Sequence, residues 1–229
     1  MHKFFLFWLT IVLVFPAITC ANTLLATSDF STDAEDIPPE PWSIVRFDEN
    51  IPATIYRRVN RDRIEAIEAS ADASMALLAR PINIDLQQTP VLCWRWRVER
   101  LPDNAGMKTK AGDDYAARVY VAFELPTEAM ALTTRIKLGL ARRIYGEHLP
   151  DAAINCVWDN RYPIGTHKPN AYIDRAHMLV VQSSSELGGQ WLEERRNVLT
   201  DAKRYIGTKN PQPSLLAIAT DTDDTGKYA

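Results

Sequence analysis

Residues 89–126 read TPVLCWRWRVERLPDNAGMKTKAGDDYAARVYVAFELP, and two alternating runs within them decide the fold. In the first, Trp94, Trp96 and Val98 fall on one side while Cys93, Arg95 and Arg97 fall on the other. In the second, Ala117, Val119, Val121 and Phe123 oppose Arg118, Tyr120 and Ala122. Alternation with period two marks a strand with one buried face, and β-branched and aromatic residues favour such a surface. The two runs are expected to pair as a hairpin through the polar loop that ends in Asp113-Asp114. Pairing would gather Arg95, Arg97 and Arg118 into one cationic patch beside Tyr120.

Upstream, Trp42–Phe47 and Thr54–Val59 have the length and composition of short strands. The run Arg63–Ala69 fits a helical turn as well as a strand. Met75–Ile84 is apolar but contains Pro81, which suits an edge strand or a bulge. Residues 31–41, STDAEDIPPEP, form an acidic, proline-rich connector. Residues 1–21 have a short basic start, the apolar run FFLFWLTIVLVF and small residues before Asn22. This is the pattern of an export signal, and the run is short for a membrane span. A lipid anchor at Cys20 is the rival reading, but Ala17 and Thr19 stand where lipoprotein signals carry leucine and a small residue, so plain cleavage is preferred. No comparable apolar run follows, so no transmembrane span is expected in the mature chain.

Downstream, the period changes. Thr127–Tyr145 places Ile136, Leu140 and Ile144 four apart, with Thr127 able to cap the start and Gly146 the end. An amphipathic helix inserted at about 127–146 and packed on the sheets is expected. Ile154–Trp158, His177–Gln182, Trp191–Val198 and Leu215–Thr220 read as further strands. Leu187-Gly188-Gly189-Gln190 reads as a hairpin turn, and Thr200–Ile206 as a helical turn stopped by Gly207. Many short strands with turn signals between them indicate an antiparallel β-sandwich spanning 42–229, after the signal at 1–21 and an N-terminal segment at 22–41.

The 229 residues carry a formal net charge of −3, which argues against a sequence-independent nucleic-acid binder. No glycine-rich phosphate loop, nucleophile elbow or histidine metal motif occurs. His148, His167 and His177 stand in unrelated contexts. Arg95, Arg97, Arg118, Tyr120, Asp113 and Asp114 form the first candidate site, because guanidinium forks and carboxylates suit a polar ligand. The same residues could instead neutralise one another as a salt-bridge network. Asp221, Asp223 and Asp224, followed by Gly226, have the spacing of a calcium loop, although aspartate-rich turns are frequent without metal. No other cofactor is indicated. Trp94, Trp96, Trp158 and Trp191 could stack sugars, but period two places the first two in the core. Cleavage after Ala21 would leave Cys93 and Cys156, either bridged in an oxidising compartment or as two buried thiols.

The segments TPVLCWRWRVE, KAGDDYAARVYVAF, INCVWDNRYPIGT, LGGQWLEERRNVLTDAKRYIG and LLAIATDTDDTG, in this order, resemble a bacterial exported family known as domain of unknown function 3047. The resemblance runs from about Phe30 onward. It implies a single β-sandwich of the jelly-roll or galactose-binding kind, favours a strand at 63–69, and implies no activity, substrate or cofactor. Members of that family continue beyond the aspartate-rich loop into a closing strand, whereas this chain ends at Ala229. The expectation is therefore a sandwich lacking its last strand, with an edge beside Leu215–Thr220 open to a strand-adding partner.

The expected function is a periplasmic or secreted, non-catalytic module binding a glycan, polyol or other polar small ligand. A polysaccharide hydrolase or lyase using Asp113 or Asp114 with Tyr120 and an arginine is the alternative from another class. A structural or assembly protein of the envelope is the third.

Overall fold

A computed structural model of the chain describes residues 40–103, 105–126, 150–226 and the single positions 130, 139 and 229. The export signal, Cys20, the connector up to residue 39 and nearly all of the expected helix at 127–146 lie outside the described residues. Eleven strands are described: β1 (Ser43–Val45), β2 (Ile55–Arg61), β3 (Ile64–Ser70), β4 (Leu77–Pro81), β5 (Val91–Trp96), β6 (Tyr115–Glu124), β7 (Ala152–Asp159), β8 (His167–Pro169), β9 (Ala176–Ser183), β10 (Leu192–Asn197) and β11 (Gln212–Asp221). A short helix, α1 (Val198–Asp201), continues into one wider π turn at Ala202–Ile206. Among the described residues no helix is long and apolar enough to cross a membrane.

Seven strands form one sheet in the order β1-β4-β11-β6-β7-β9-β8, and two ribbons, β10-β5 and β2-β3, stand apart from it. Every pairing is antiparallel except β7 with β9. The ribbons make the second layer of a β-sandwich, because the main core takes side chains from both sides. Val119, Val121, Phe123, Ile154, Cys156, Trp158 and Leu216 come from the large sheet; Tyr56 and Trp96 come from the ribbons. Trp94 meets Trp96 edge-on at 5.5 Å, and Trp96 meets Trp158 at 5.7 Å, so a line of indoles ties the layers together. Aromatic pairs of this kind contribute about 0.5–1.5 kcal/mol beyond their area. Strand β7, AAINCVWD, is buried at all eight positions, as expected of a strand covered on both faces.

The alternation around Trp94 and Val119 is kept, but the hairpin is not. β5 pairs with β10, with Arg95 opposite Glu193, while β6 lies between β11 and β7. A loop from Arg97 to Asp114 is too long to impose the register that a two-residue turn would. Two further expectations are corrected. β4 is no edge strand: it lies between β1 and β11, with Pro81 as its last residue, where a missing N–H costs the ladder little. The turn at Leu187–Gln190 makes no hairpin, for it carries the chain from β9 in the large sheet to β10 in the other layer. The expected open edge beside β11 is occupied on both sides, by β4 and β6. The run at 63–69 is strand β3, as the family resemblance favoured. The turn ending at Gly207 also forms: Asn197 caps α1 by accepting from the Thr200 N–H at 2.9 Å, and Gly207 adopts φ +79°.

The Cys93–Cys156 bridge does not form. Cys156 faces the main core from β7 and is a buried free thiol. Cys93 alternates with the core-facing Leu92 and Trp94, hence points away from that core.

Candidate functional site

Two strands with correctly read faces, placed in opposite layers, send their polar sides to opposite exteriors. Arg95 and Arg97 therefore do not share a patch with Arg118. Arg95 donates to its cross-strand neighbour Glu193, with both side chains more than half exposed. Arg97 donates to Glu99 at 2.8 Å and pairs with Asp62, next to the tip of β2-β3. These are surface ion pairs: Arg95–Glu193 braces the β10-β5 ribbon, and Arg97–Asp62 joins that ribbon to β2-β3.

Arg118 lies on the outer face of the large sheet and is only 3% exposed. Its Nε donates to Asp221 Oδ1 at 2.8 Å, its Nη2 lies 2.6 Å from Asp221 Oδ2, and its Nη1 donates to the Tyr120 hydroxyl at 3.1 Å. The Asp113 carbonyl takes a further bond, and the guanidinium lies 4.5 Å from the centre of the Tyr115 ring. Burial alone would lower the Arg118 pKa, but Asp221, Tyr120 and Asp113 hold it well above its ordinary value. Every face of this cation is occupied. The arrangement locks β6 to β11 and to the incoming loop; it presents no fork to a ligand.

That loop is set by a close backbone approach. Gly106 N–H donates to the Gly112 carbonyl at 2.6 Å, and a Cβ on Gly112 would come within 3.0 Å of the Gly106 oxygen. The crowding favours glycine at 112, and the tight return delivers two adjacent aspartates pointing different ways. Asp113 Oδ2 accepts from Asn170 Nδ2 at 2.7 Å, while its buried Oδ1 lies 3.6 Å from Arg118 Nη2 and has no hydrogen-bond partner among the described residues. Asp114, fully buried, accepts from the backbone N–H groups of Asp224 and Thr225 at 3.1 and 2.6 Å. It thereby fixes the loop after β11.

The carboxylate oxygens of Asp114, Asp223 and Asp224 lie within 4.8 Å of one another. The expected calcium set is thus rearranged: Asp221 is taken by Arg118, and Asp114 stands in its place. A calcium ion takes six to eight oxygens, so these three could supply only part of a shell. Burial, reinforced by Asp223, Asp114 and Asp113, pushes the Asp224 carboxyl up to about 6, even though the Tyr172 hydroxyl donates to it. Burial raises Asp223 as well. Tyr172 is 43% exposed, with Lys110 Nζ 4.7 Å from its ring centre. The result is an acidic rim, half in solvent, with an exposed ring on it.

Of the six residues first proposed, only Asp113 and Asp114 come near this rim, and both act beneath it. Sequence reasoning missed Asn170, Tyr172 and Lys110. The stretch DNRYPIGTHKPN at 159–170 is rich in turn residues and says nothing of a site, and only the fold brings residue 172 to residue 224. His167 and His177 were also missed as a pair, since ten residues of sequence separate two imidazoles that touch.

The sequence matches the family described as "Protein of unknown function (DUF3047)" over residues 40–229, and the chain belongs to that family. Among curated proteins, none matches it.

Proposed function

We propose, from a family membership that brings no activity with it, that this protein is a non-catalytic module binding a glycan or polyol at the acidic rim beside Tyr172. Export to the periplasm or beyond is part of the proposal and rests on the apolar run at residues 4–15. The observation that carries the binding reading is the Tyr172 ring, exposed yet anchored through its hydroxyl to Asp224. Such a ring offers an apolar face to the C–H side of a sugar, and Asp223 and Asp224 can accept from paired hydroxyl groups. Few convergent polar groups around an apolar contact are what orient a small ligand.

Glycan arrays and calorimetry on the full chain test it. A ligand is expected whose affinity falls about tenfold or more in Tyr172→Ala and in Asp223→Asn, with no fall in melting temperature, and stays constant in Arg95→Ala. Binding indifferent to Tyr172→Ala would overturn the site, and no binding to any glycan would overturn the class.

A glycan hydrolase or lyase is the second reading, favoured by Asp224 alone. A carboxyl held near 6 beside other carboxylates suits a general acid. Asp113 and Asp114, the residues first considered for that chemistry, are buried and engaged in holding loops. Release of reducing ends that disappears in Asp224→Asn while binding persists would establish turnover over simple binding.

A further inference from the structure

Away from the acidic rim, His167 on β8 and His177 on β9 meet head-on. His167 Nε2 and His177 Nδ1 are 2.9 Å apart, and the ring centres are 5.1 Å apart with planes inclined by 19°. The centre-to-centre distance equals the N···N distance plus the two ring radii, so the rings are nearly coplanar and joined by a linear N–H···N bond. The two lone-pair directions point at each other and leave room for a proton, not for a metal ion. The face of His167 is covered by Tyr205, 4.0 Å away and inclined by 22°. Tyr205 belongs to the π turn at Ala202–Ile206 and packs with Ile206 on the main core. The pair therefore joins the β8 end of the large sheet to the turn that leads into β11.

We propose that His167 and His177 form an acid-sensitive latch holding the Ala202–Ile206 turn against β8 and β9, closed with up to one added proton and opened by a second. Neutral imidazoles supply one donor and one acceptor along the shared line. A first added proton keeps that bond, since a protonated ring still donates to a neutral one. A second removes the only acceptor and sets two cations end to end. The surroundings oppose charge. Arg204, over the Tyr205 ring, and Lys168 on β8 face His167; Arg175 faces His177, and Asp174 opposes it there. Burial first lowers both imidazoles from the ordinary value, followed by Arg204 and Lys168 at His167 and by His167 itself and then Arg175 at His177. With folded-state values lowered, the latch's contribution is present above the ordinary histidine range and is lost as pH falls through it.

Imidazole NMR and amide hydrogen exchange on the full chain decide the matter. The two rings should titrate as a coupled pair, the second step falling below an ordinary histidine. Protection of the amides from Ala202 to Gly207, corrected for intrinsic exchange, should fall about tenfold between about pH 7.5 and about pH 4.5. In His177→Gln, which keeps a hydrogen-bonding group but cannot titrate, that fall should vanish; His167→Gln serves the same purpose should the first variant not fold. Independent titration of both rings at the ordinary value overturns the latch. So does constant protection, or a fall in the glutamine variant equal to that of the parent.

Discussion

Replacing Arg118 by methionine tests whether the buried fork holds the fold. The change keeps an unbranched apolar stem, so little cavity is created, and deletes the charge. Asp221 is left with the Tyr115 N–H at 3.0 Å and Asp113 with Asn170, two buried carboxylates with no cation between them. Removing one partner of a buried, hydrogen-bonded pair costs about 3–5 kcal/mol. For a chain of this size that is a fall of about 6–20 °C in Tm, at roughly 2–4 °C per kcal/mol. The loss should depend on pH in a stated direction. Arg118 pulls the Asp221 carboxyl down, so without it the folded-state pKa rises further above the unfolded value. A raised acid favours the folded state at low pH and loses that contribution as pH rises, so the gap between variant and parent should narrow from pH 7 toward pH 5. The double variant Arg118→Met/Asp221→Leu should recover about half of the loss or more, since apolar replacement of a whole buried pair is often tolerated. Urea melts at both pH values supply the readout. A loss under about 1 kcal/mol at pH 7, or a gap that widens on acidification, would refute the reasoning.

Arg95→Ala removes an exposed cross-strand pair and should cost under about 1 kcal/mol in the same melts, an order of magnitude set by solvent screening. Asp224→Asn keeps the acceptor for Tyr172 but cannot ionise. Because the Asp224 pKa is raised to about 6, its contribution is present at low pH and lost as pH climbs through that value. The variant should therefore match the parent near pH 4 and exceed it in Tm at pH 7. Cys156 is buried, and burial pushes its thiol up to about 12. Iodoacetamide should leave it unmodified in the native protein and alkylate it after unfolding, as mass spectrometry would show.

What the sequence made legible was local. The faces of β5 and β6 follow from period two and are right residue by residue, because the rule depends only on neighbouring bonds. Their pairing is a long-range choice, and nothing in the loop from Arg97 to Asp114 states it. The same limit explains the other departures. Pro81 signals an edge only when it lies inside a strand, and here it lies at the end of one. Gly188-Gly189 signals a turn without saying which sheet receives the chain afterwards. In the acidic loop, alternation within Asp221–Asp224 was visible, but strand β11 turns Asp221 toward Arg118. Its replacement, Asp114, comes from 109 positions earlier than Asp223. The imidazole pair was hidden for a simpler reason: its residues sit on two adjoining strands whose offset had no marker.

The place of β11 also sets an order of assembly. It stands between β4 and β6, which precede it by more than eighty residues, and among the described residues it is the sole bridge between β1-β4 and β6-β7-β9-β8. Until residues 212–221 take their place, the large sheet consists of two halves whose facing edges are both unpaired. Each half exposes N–H and C=O groups that could capture a strand from another molecule. A chain interrupted before Gln212 would thus be short of more than one strand: it would lose the seam of its sheet and gain two adhesive borders.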